Sequence, residues 1–322
     1  MIGRVAAVTD PGRTRRHNED SYVVEPPLFA IADGMGGAQA GEVASRLATA
    51  ALKESDANGG GEQRIADLIQ EANRRVYDRS SSDPNTSGMG TTNTVALVED
   101  DRVAFGHVGD SRAYLIRDAQ MEQLTEDHSL VNELLKTGKL SQEEAEAHPQ
   151  RSVITRALGT DPDVDVDTFS VAAQTGDLFL LCSDGLTDMV SETSILDVVE
   201  QHRDDINRAL KALVKEANRG GGQDNITVVA FEIAEDGIAP RDGDTREQAL
   251  PEEEDTLTEA DGVPVVDTAV ISTETIQAEI AAGERDDRAA RRRHLRRRIL
   301  AWLVVLLLIA AAALVVYLRF LR

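Results

Sequence analysis

Eight short apolar or β-branched runs, arriving mostly in pairs, constrain this 322-residue chain more than any other feature. They occupy residues 5–9, 21–24, 29–32, 93–98, 103–108, 113–117, 178–182 and 227–233. Each has the length of a strand and is bounded by Gly, Asp or Asn. Amphipathic spacing predicts helices over 41–53, 64–78, 130–136, 141–146, 194–201 and 206–218. In the first, Val43, Leu47, Ala50 and Ala51 recur at helical intervals. Strands that come in pairs, rather than each followed by a helix, favour α+β layers over a doubly wound parallel sheet. The stretch 118–177 is more polar and reads as loop and helix, with a flap expected around His148-Pro149-Gln150-Arg151.

Several of these runs end on a carboxylate. Ala32-Asp33-Gly34-Met35-Gly36-Gly37 follows one, and Cys182-Ser183-Asp184-Gly185 ends another. Asp224 stands in Gly220-Gly221-Gly222-Gln223-Asp224-Asn225, just before a third. Glu19-Asp20 precedes a fourth, and Asp110 follows Val108-Gly109. A single Asp-Gly is an ordinary turn. Five acidic sites beside apolar strands are a different matter, because loops at one rim of a sheet can gather them. Gathered carboxylates repel one another unless they share cations, and all-oxygen ligation selects Mg²⁺ or Mn²⁺. Glycine beside Asp33 lets a backbone carbonyl, that of Gly34, approach such an ion as well. A metal pair points to hydrolysis at phosphorus by a water whose pKa the ions lower. Such chemistry needs a cationic clamp for phosphate. Arg15 is the natural candidate for bidentate binding, with Arg13 and Arg16 as its neighbours and rivals.

Other phosphotransfer designs do not fit. A cysteine phosphatase would need an arginine six residues after its nucleophile, where Cys182 has Asp188; Cys182 reads as a core residue. There is no G-x-x-x-x-G-K-[ST] and no H-E-x-x-H. One cysteine excludes an internal disulfide framework and fits a reducing compartment. The net charge of −23 argues against nucleic acid as a partner of the main domain.

The two ends of the chain differ. No apolar run near the N-terminus resembles a signal peptide. Residues 299–318, ILAWLVVLLLIAAAALVVYL, carry no charge and suffice for about 30 Å of helix, the thickness of a bilayer core. Trp302 and Tyr317 lie near its ends, and seven arginines fill 288–298 just before it. The positive flank is expected to stay cytoplasmic. The organisation expected is therefore a catalytic domain over 1–234, an acidic disordered linker over 235–287, a basic juxtamembrane segment over 288–298, a single transmembrane helix over 299–318 and an external tail, 319–322. The linker would allow an end-to-end distance on the order of 40 Å.

The segments TDPGRTRRHNEDS, FAIADGMGG, SGMGTTNTVALV, HVGDSRAYLIR, LTEDHSLV, HPQRSVITRALG, LLCSDGLTDMV and GGGQDNITVV, in this order, closely resemble the metal-dependent protein phosphatases, the protein phosphatase 2C family in its short bacterial form. The resemblance covers residues 1 to about 234. It implies a four-layer α-β-β-α sandwich and removal of phosphate from phosphoserine and phosphothreonine in proteins, with two core Mn²⁺ or Mg²⁺ ions. It implies that Asp33 bridges the ions and that Gly34 ligates through its carbonyl. Asp184 and Asp224 would complete the shell of one ion, and Glu19 would serve the other through water. Asp20 would stand behind these ligands, Asn225 would orient Asp224, and Arg15 would bind phosphate. Asp110 and Asp188 match positions that hold a third, weaker ion. Many members carry a histidine just after the glycine turn as general acid; here Ala38 and Gln39 follow it. The acid would then be a metal-bound water, with His17 or His128 as substitutes. Implied partners are phosphorylated proteins, among them membrane-anchored serine/threonine kinases, together with the bilayer itself. Two other functions are a phosphoprotein-binding module that has lost catalysis, which would lack ligand carboxylates, and a small-molecule phosphohydrolase.

Overall fold

The computed structural model describes residues 2–36, 40–55, 60–146 and 148–234, without the side chain of Glu146. The expected linker, basic segment, membrane span and tail, and also Ala38 and Gln39, lie outside the described residues. Among the described residues no helix is long and apolar enough to cross a membrane.

Two antiparallel sheets form the centre. One has the order β1 (Ile2–Asp10), β11 (Ile226–Ile233), β10 (Leu178–Cys182), β7 (Arg112–Arg117) and β8 (Gln120–Gln123). The other runs β2 (Asp20–Glu25), β3 (Leu28–Met35), β5 (Asn93–Glu99), β6 (Arg102–Val108) and β9 (Asp167–Ala172), with the short β4 (Gly90–Thr91) on β3. The central strands are buried on both faces, so their sequences run apolar without a break. Side chains still alternate in direction. On β3, Phe29 and Ile31 enter the core between the sheets, while Ala30 and Ala32 face the helix layer. Four phenylalanines fill the middle: Phe29 stacks on Phe231 at 4.2 Å, Phe231 on Phe179 at 5.2 Å, and Phe179 meets Phe105 at 5.8 Å.

Helices α1 (Ala40–Glu54) and α2 (Gly61–Ser82) cover the β3 sheet. The small Ala44, Ala48 and Ala51 of α1 pack with Ala30 and Ala32, which lets the helix approach closely. Helices α5 (Asp184–Thr187), α6 (Glu192–Gln201) and α7 (Ile206–Gly220) cover the other sheet. Asp205 caps α7 by accepting from the Arg208 N–H at 3.0 Å. Ile206, Ala209, Leu210, Leu213, Val214 and Ala217 form its buried stripe. This is the four-layer sandwich expected from the resemblance.

The polar stretch 118–177 differs from its expected character. It holds α3 (Leu130–Lys136) and α4 (Gln142–Glu146), as the spacing predicts, but also β8 and β9. Both are edge strands with half-exposed or exposed residues, so no continuous apolar run marks them. A two-residue turn, Asp118-Ala119, joins β7 to β8 with both residues at positive φ, 51° and 56°. After the expected flap segment, Ile154 forms a bridge with Ser129 at the start of α3, and Leu158 forms one with Thr91 of β4.

Candidate metal centre

The register of the sheets gathers the acids. On β2 and β3, Asp20 and Asp33 are directly paired. Asp184 follows the end of β10, Asp224 precedes β11, and Asp110 follows the end of β6. These ends lie at one rim of the sandwich. A single cavity there is lined by Arg15, Glu19, Asp33, Gly34, Asp110, Asp184 and Asp224, with Met35, Gly36 and Ile154 completing the wall. Its volume of about 20 Å³ leaves room for ions or water among the carboxylates.

Two glycines set the spacing. A Cβ on Gly34 would stand 2.0 Å from the Gly41 carbonyl oxygen and 2.6 Å from that of Glu19. A Cβ on Gly185 would stand 2.1 Å from the Asn225 carbonyl oxygen. Each glycine therefore admits the backbone of a second acidic segment, Glu19 against Asp33-Gly34 and Asp224-Asn225 against Asp184-Gly185. Close approach, expected from the dipeptide at Asp33, is required here by backbone packing.

Hydroxyls and amides hold the carboxylates from behind. The Asp33 N–H donates to Thr92 Oγ1 at 2.9 Å, and its carbonyl accepts from Thr91 Oγ1 at 2.8 Å. Asp20 Oδ2 accepts from Thr227 Oγ1 at 2.6 Å and Ser183 Oγ at 2.9 Å. Asn225 Oδ1 accepts from the Glu19 N–H at 2.8 Å, and Asn225 Nδ2 donates to the carbonyls of Pro11 and His17. The Asn225 N–H reaches Asp224 Oδ1 at 2.8 Å. Asn225 thus fastens the Arg15-bearing loop to Asp224. Thr91, Thr92, Ser183 and Thr227 went unassigned in the sequence; Ser183 and Thr227 have the signal of a hydroxyl beside or near a strand-end acid, while Thr91 and Thr92 have no local signal.

Charge at the cavity is strongly one-sided. Burial, followed by repulsion from Asp20, Asp184, Asp224 and Asp110, holds the Asp33 carboxyl well above the ordinary range. Burial and then Asp110, Asp224, Asp188 and Asp20 do the same to Asp184. Burial raises Glu19 to about 7 against the opposing charge of Arg15. It raises Asp110 to about 7, with help from Asp127 and Asp188. Asp20 rises to about 6 by burial, opposed by its bonds from Thr227 and Ser183. Asp20 Oδ1, Asp110 Oδ1 and Asp184 Oδ1 are buried with no hydrogen-bond partner. Among the described residues lining the cavity, Arg15 is the sole cation. Buried, unpartnered and mutually repelling carboxylate oxygens fit hard divalent cations. Among the described residues no three acids or imidazoles already close on one point as a finished cage; the carboxylates ring the cavity instead.

Of the three neighbouring arginines, Arg15 reaches the cavity, where Nη2 donates to Asp224 Oδ2 at 2.8 Å. Arg13 and Arg16 are exposed, as is His17. Asp188 is not in the cavity wall. It lines a larger neighbouring groove of about 870 Å³, which shares Asp110 and Asp184 with the cavity, and it pairs with Arg151 at 3.6 Å. His128 is buried away from the cavity. Cys182 is fully buried, and burial pushes its thiol up to about 12, as suits a core residue.

The sequence pattern described as Protein phosphatase 2C matches residues 14–219, a span that contains every acid of this rim except Asp224. The chain belongs to the protein phosphatase 2C family. It is 44% identical over 236 residues to the serine/threonine phosphatase stp of Listeria monocytogenes, covering 70% of this chain and 93% of that protein. It is 41% identical over 238 residues to PstP of Mycobacterium tuberculosis, covering 73% of this chain and 46% of the relative. The crystal structure of the M. tuberculosis serine/threonine phosphatase PstP superposes with a TM-score of 0.69 at 39% identity, covering 73% of this chain and all of that one. A PstP catalytic domain in complex with two manganese ions gives a TM-score of 0.67 at 37% identity, covering 73% of this chain and 99% of that one.

Proposed function

We propose that this protein phosphatase 2C member removes phosphate from phosphoserine and phosphothreonine in proteins, dependent on Mn²⁺ or Mg²⁺. The carrying observation is the ring of buried and half-buried acids at one rim, faced, among the described residues, by the single cavity cation Arg15. Asp33, the Gly34 carbonyl, Glu19, Asp184 and Asp224 would hold two ions, with Asp20 supporting them and Asp110 and Asp188 available to a third. When bound, the ions lower the pKa of a water nucleophile and neutralise phosphate charge. The chain's own residues do the rest. Arg15 turns its guanidinium toward the phosphate oxygens, and its pairing with Asp224 orients it for that contact. Thr91 and Thr92 fix the Asp33 backbone, so Asp33 faces the cavity in one orientation. Met35 and Ile154 form the apolar part of the wall and limit water. Among the described residues no imidazole lines the cavity, which supports a water at the site, rather than a side chain, as the proton source for the departing alcohol.

Residues 299–318 would anchor the enzyme, with 288–298 on the cytoplasmic face and 235–287 as tether. The charge-free length and the arginine flank support this. Substrates would then include membrane-associated serine/threonine kinases and their targets. Protease protection in vesicles tests the topology: a cytoplasmic domain is shielded in right-side-out vesicles and digested in inverted ones. The central test is hydrolysis of a phosphothreonine peptide with and without Mn²⁺, comparing wild type with Asp33→Ala and Asp184→Ala. Metal-independent hydrolysis, or full activity of either variant, would overturn the reading.

A further inference from the structure

Gly109 and His128, far apart in sequence, grip each other at two points. The Gly109 N–H donates to His128 Nδ1 at 3.0 Å, and the His128 backbone N–H donates to the Gly109 carbonyl at 2.7 Å. A neutral imidazole carries one N–H. Since Nδ1 accepts from a peptide, the ring proton sits on Nε2. Nε2 lies 3.1 Å from Asp167 Oδ2 and 2.9 Å from Arg156 Nη1. Two N–H groups cannot donate to each other, so the carboxylate is the partner of Nε2–H. Arg156 Nη1 instead donates to Asp167 Oδ1 at 2.6 Å. Asp167, held by Arg156, thereby selects the tautomer that leaves Nδ1 free to accept. His128 is 5% exposed, and its ring meets that of His107 in a tilted arrangement, with centroids 4.8 Å apart.

The next residue along the chain is Asp110. Its carboxylate lies in the wall between the acidic cavity and the larger groove, and its Oδ1 is buried without a partner. The direction of that side chain depends on the conformation of Gly109, whose preceding peptide is held by the His128 ring and whose following peptide is held by the His128 main-chain N–H.

We propose that His128 is a positioning residue for Asp110: through Nδ1 it fixes the Val108–Gly109 peptide, while its main-chain N–H holds the Gly109 carbonyl, and the ring so sets the Gly109 conformation from which the Asp110 carboxylate meets a divalent cation at the shared wall. This rests on the reading of the rim as a metal centre. Supports behind a ligand of this kind are worth about 10–100-fold in metal affinity.

The test is Mn²⁺ titration of the full chain in detergent, with free ion read by electron paramagnetic resonance. Asp110→Ala identifies the class of site that Asp110 serves. His128→Ala and His128→Gln should weaken that class about 10–100-fold, while His128→Asn, whose Oδ1 can take the Gly109 N–H, should stay within about threefold of wild type. Asp167→Ala leaves the ring in place but removes its anchor; the Asp167 side chain is 45% exposed, so this variant keeps its fold if His128→Ala does not. It should weaken the same class several-fold. Equal isotherms for wild type and Asp167→Ala, or a loss in His128→Asn as large as in folded His128→Ala, would overturn the proposal. So would an Asp110→Ala isotherm that matches wild type. Absence of Mn²⁺ binding by wild type would overturn the phosphatase reading along with it.

Discussion

Within β3 the chain changes character over two residues. Ile31 lies fully buried in an apolar core, and Asp33, on the same face of the strand, lies in a wall of carboxylates. The aromatic centre is a region of mutual attraction: four phenylalanines, fully buried, in contact. The acidic rim is a region of mutual repulsion, with unpartnered oxygens and raised carboxyl pKa values. The same strands carry both. A rigid, well-packed middle holds together charges that would otherwise disperse, and so keeps a site ready for cations at a cost to the metal-free fold.

The largest separation between the two regions is expected from Asp33→Ala. Removing this group should lower phosphopeptide turnover by more than about 10³-fold, because the ions supply several kcal/mol of barrier reduction. In EDTA the same variant should melt above wild type, since one repelling charge is gone. A lower melting temperature in EDTA would break the comparison. Phe231→Ala should do the reverse. It should destabilise by about 3–5 kcal/mol in urea unfolding while leaving the Mn²⁺ affinity of the folded fraction unchanged. Arg15→Ala should lower kcat/KM by about 10²-fold, the scale of one lost charge-assisted donor, with Mn²⁺ still bound; unchanged kcat/KM would remove Arg15 from the phosphate site.

A finer test uses pH. Glu19 and Asp110 each rise to about 7 in the folded chain from ordinary carboxyl values near 4. The folded metal-free state therefore binds more protons than the unfolded one between about pH 4 and 7, and its stability falls as pH rises through that window. In EDTA the melting temperature should drop by at least about 4 °C from pH 5 to pH 7.5. Saturating Mn²⁺ should abolish that drop; a metal-free protein more stable at pH 7.5 would reverse the sign. The smallest effect belongs to His17→Ala. His17 is exposed and outside the cavity wall, so the pH–rate profile should keep its shape. A sharp limb near neutrality that disappears in this variant would make His17 the general acid.

Much of this was legible because apolar strands that end on Asp stand out in one dimension. The eight strands, the flanking helices and the gathering of Asp33, Asp110, Asp184, Asp224 and Glu19 all follow from that pattern. Edge strands β8 and β9 did not, because a strand open to water on one side needs no apolar run. The choice of Arg15 over Arg13 and Arg16 was illegible for another reason. All three sit in one loop, and only the clamp from Asn225 and the bond to Asp224 decide which one turns inward. The place of Asp188 in the groove, with Arg151 as its partner, depends on the return path of a segment with no periodicity. The role of Thr92 at Asp33 is a contact across 59 residues that no local pattern announces.

Gly34 and Gly185 restrict how this enzyme can be made hardier. Trading glycine for alanine is a common recipe for heat tolerance, since it narrows the freedom of the unfolded chain. At these two places an added methyl would meet a carbonyl oxygen at 2.0 Å or 2.1 Å and push apart the backbone segments that frame the acidic mouth. Thermotolerant versions must therefore be sought in the outer helices and edge strands, where a changed side chain leaves the mouth at its working width.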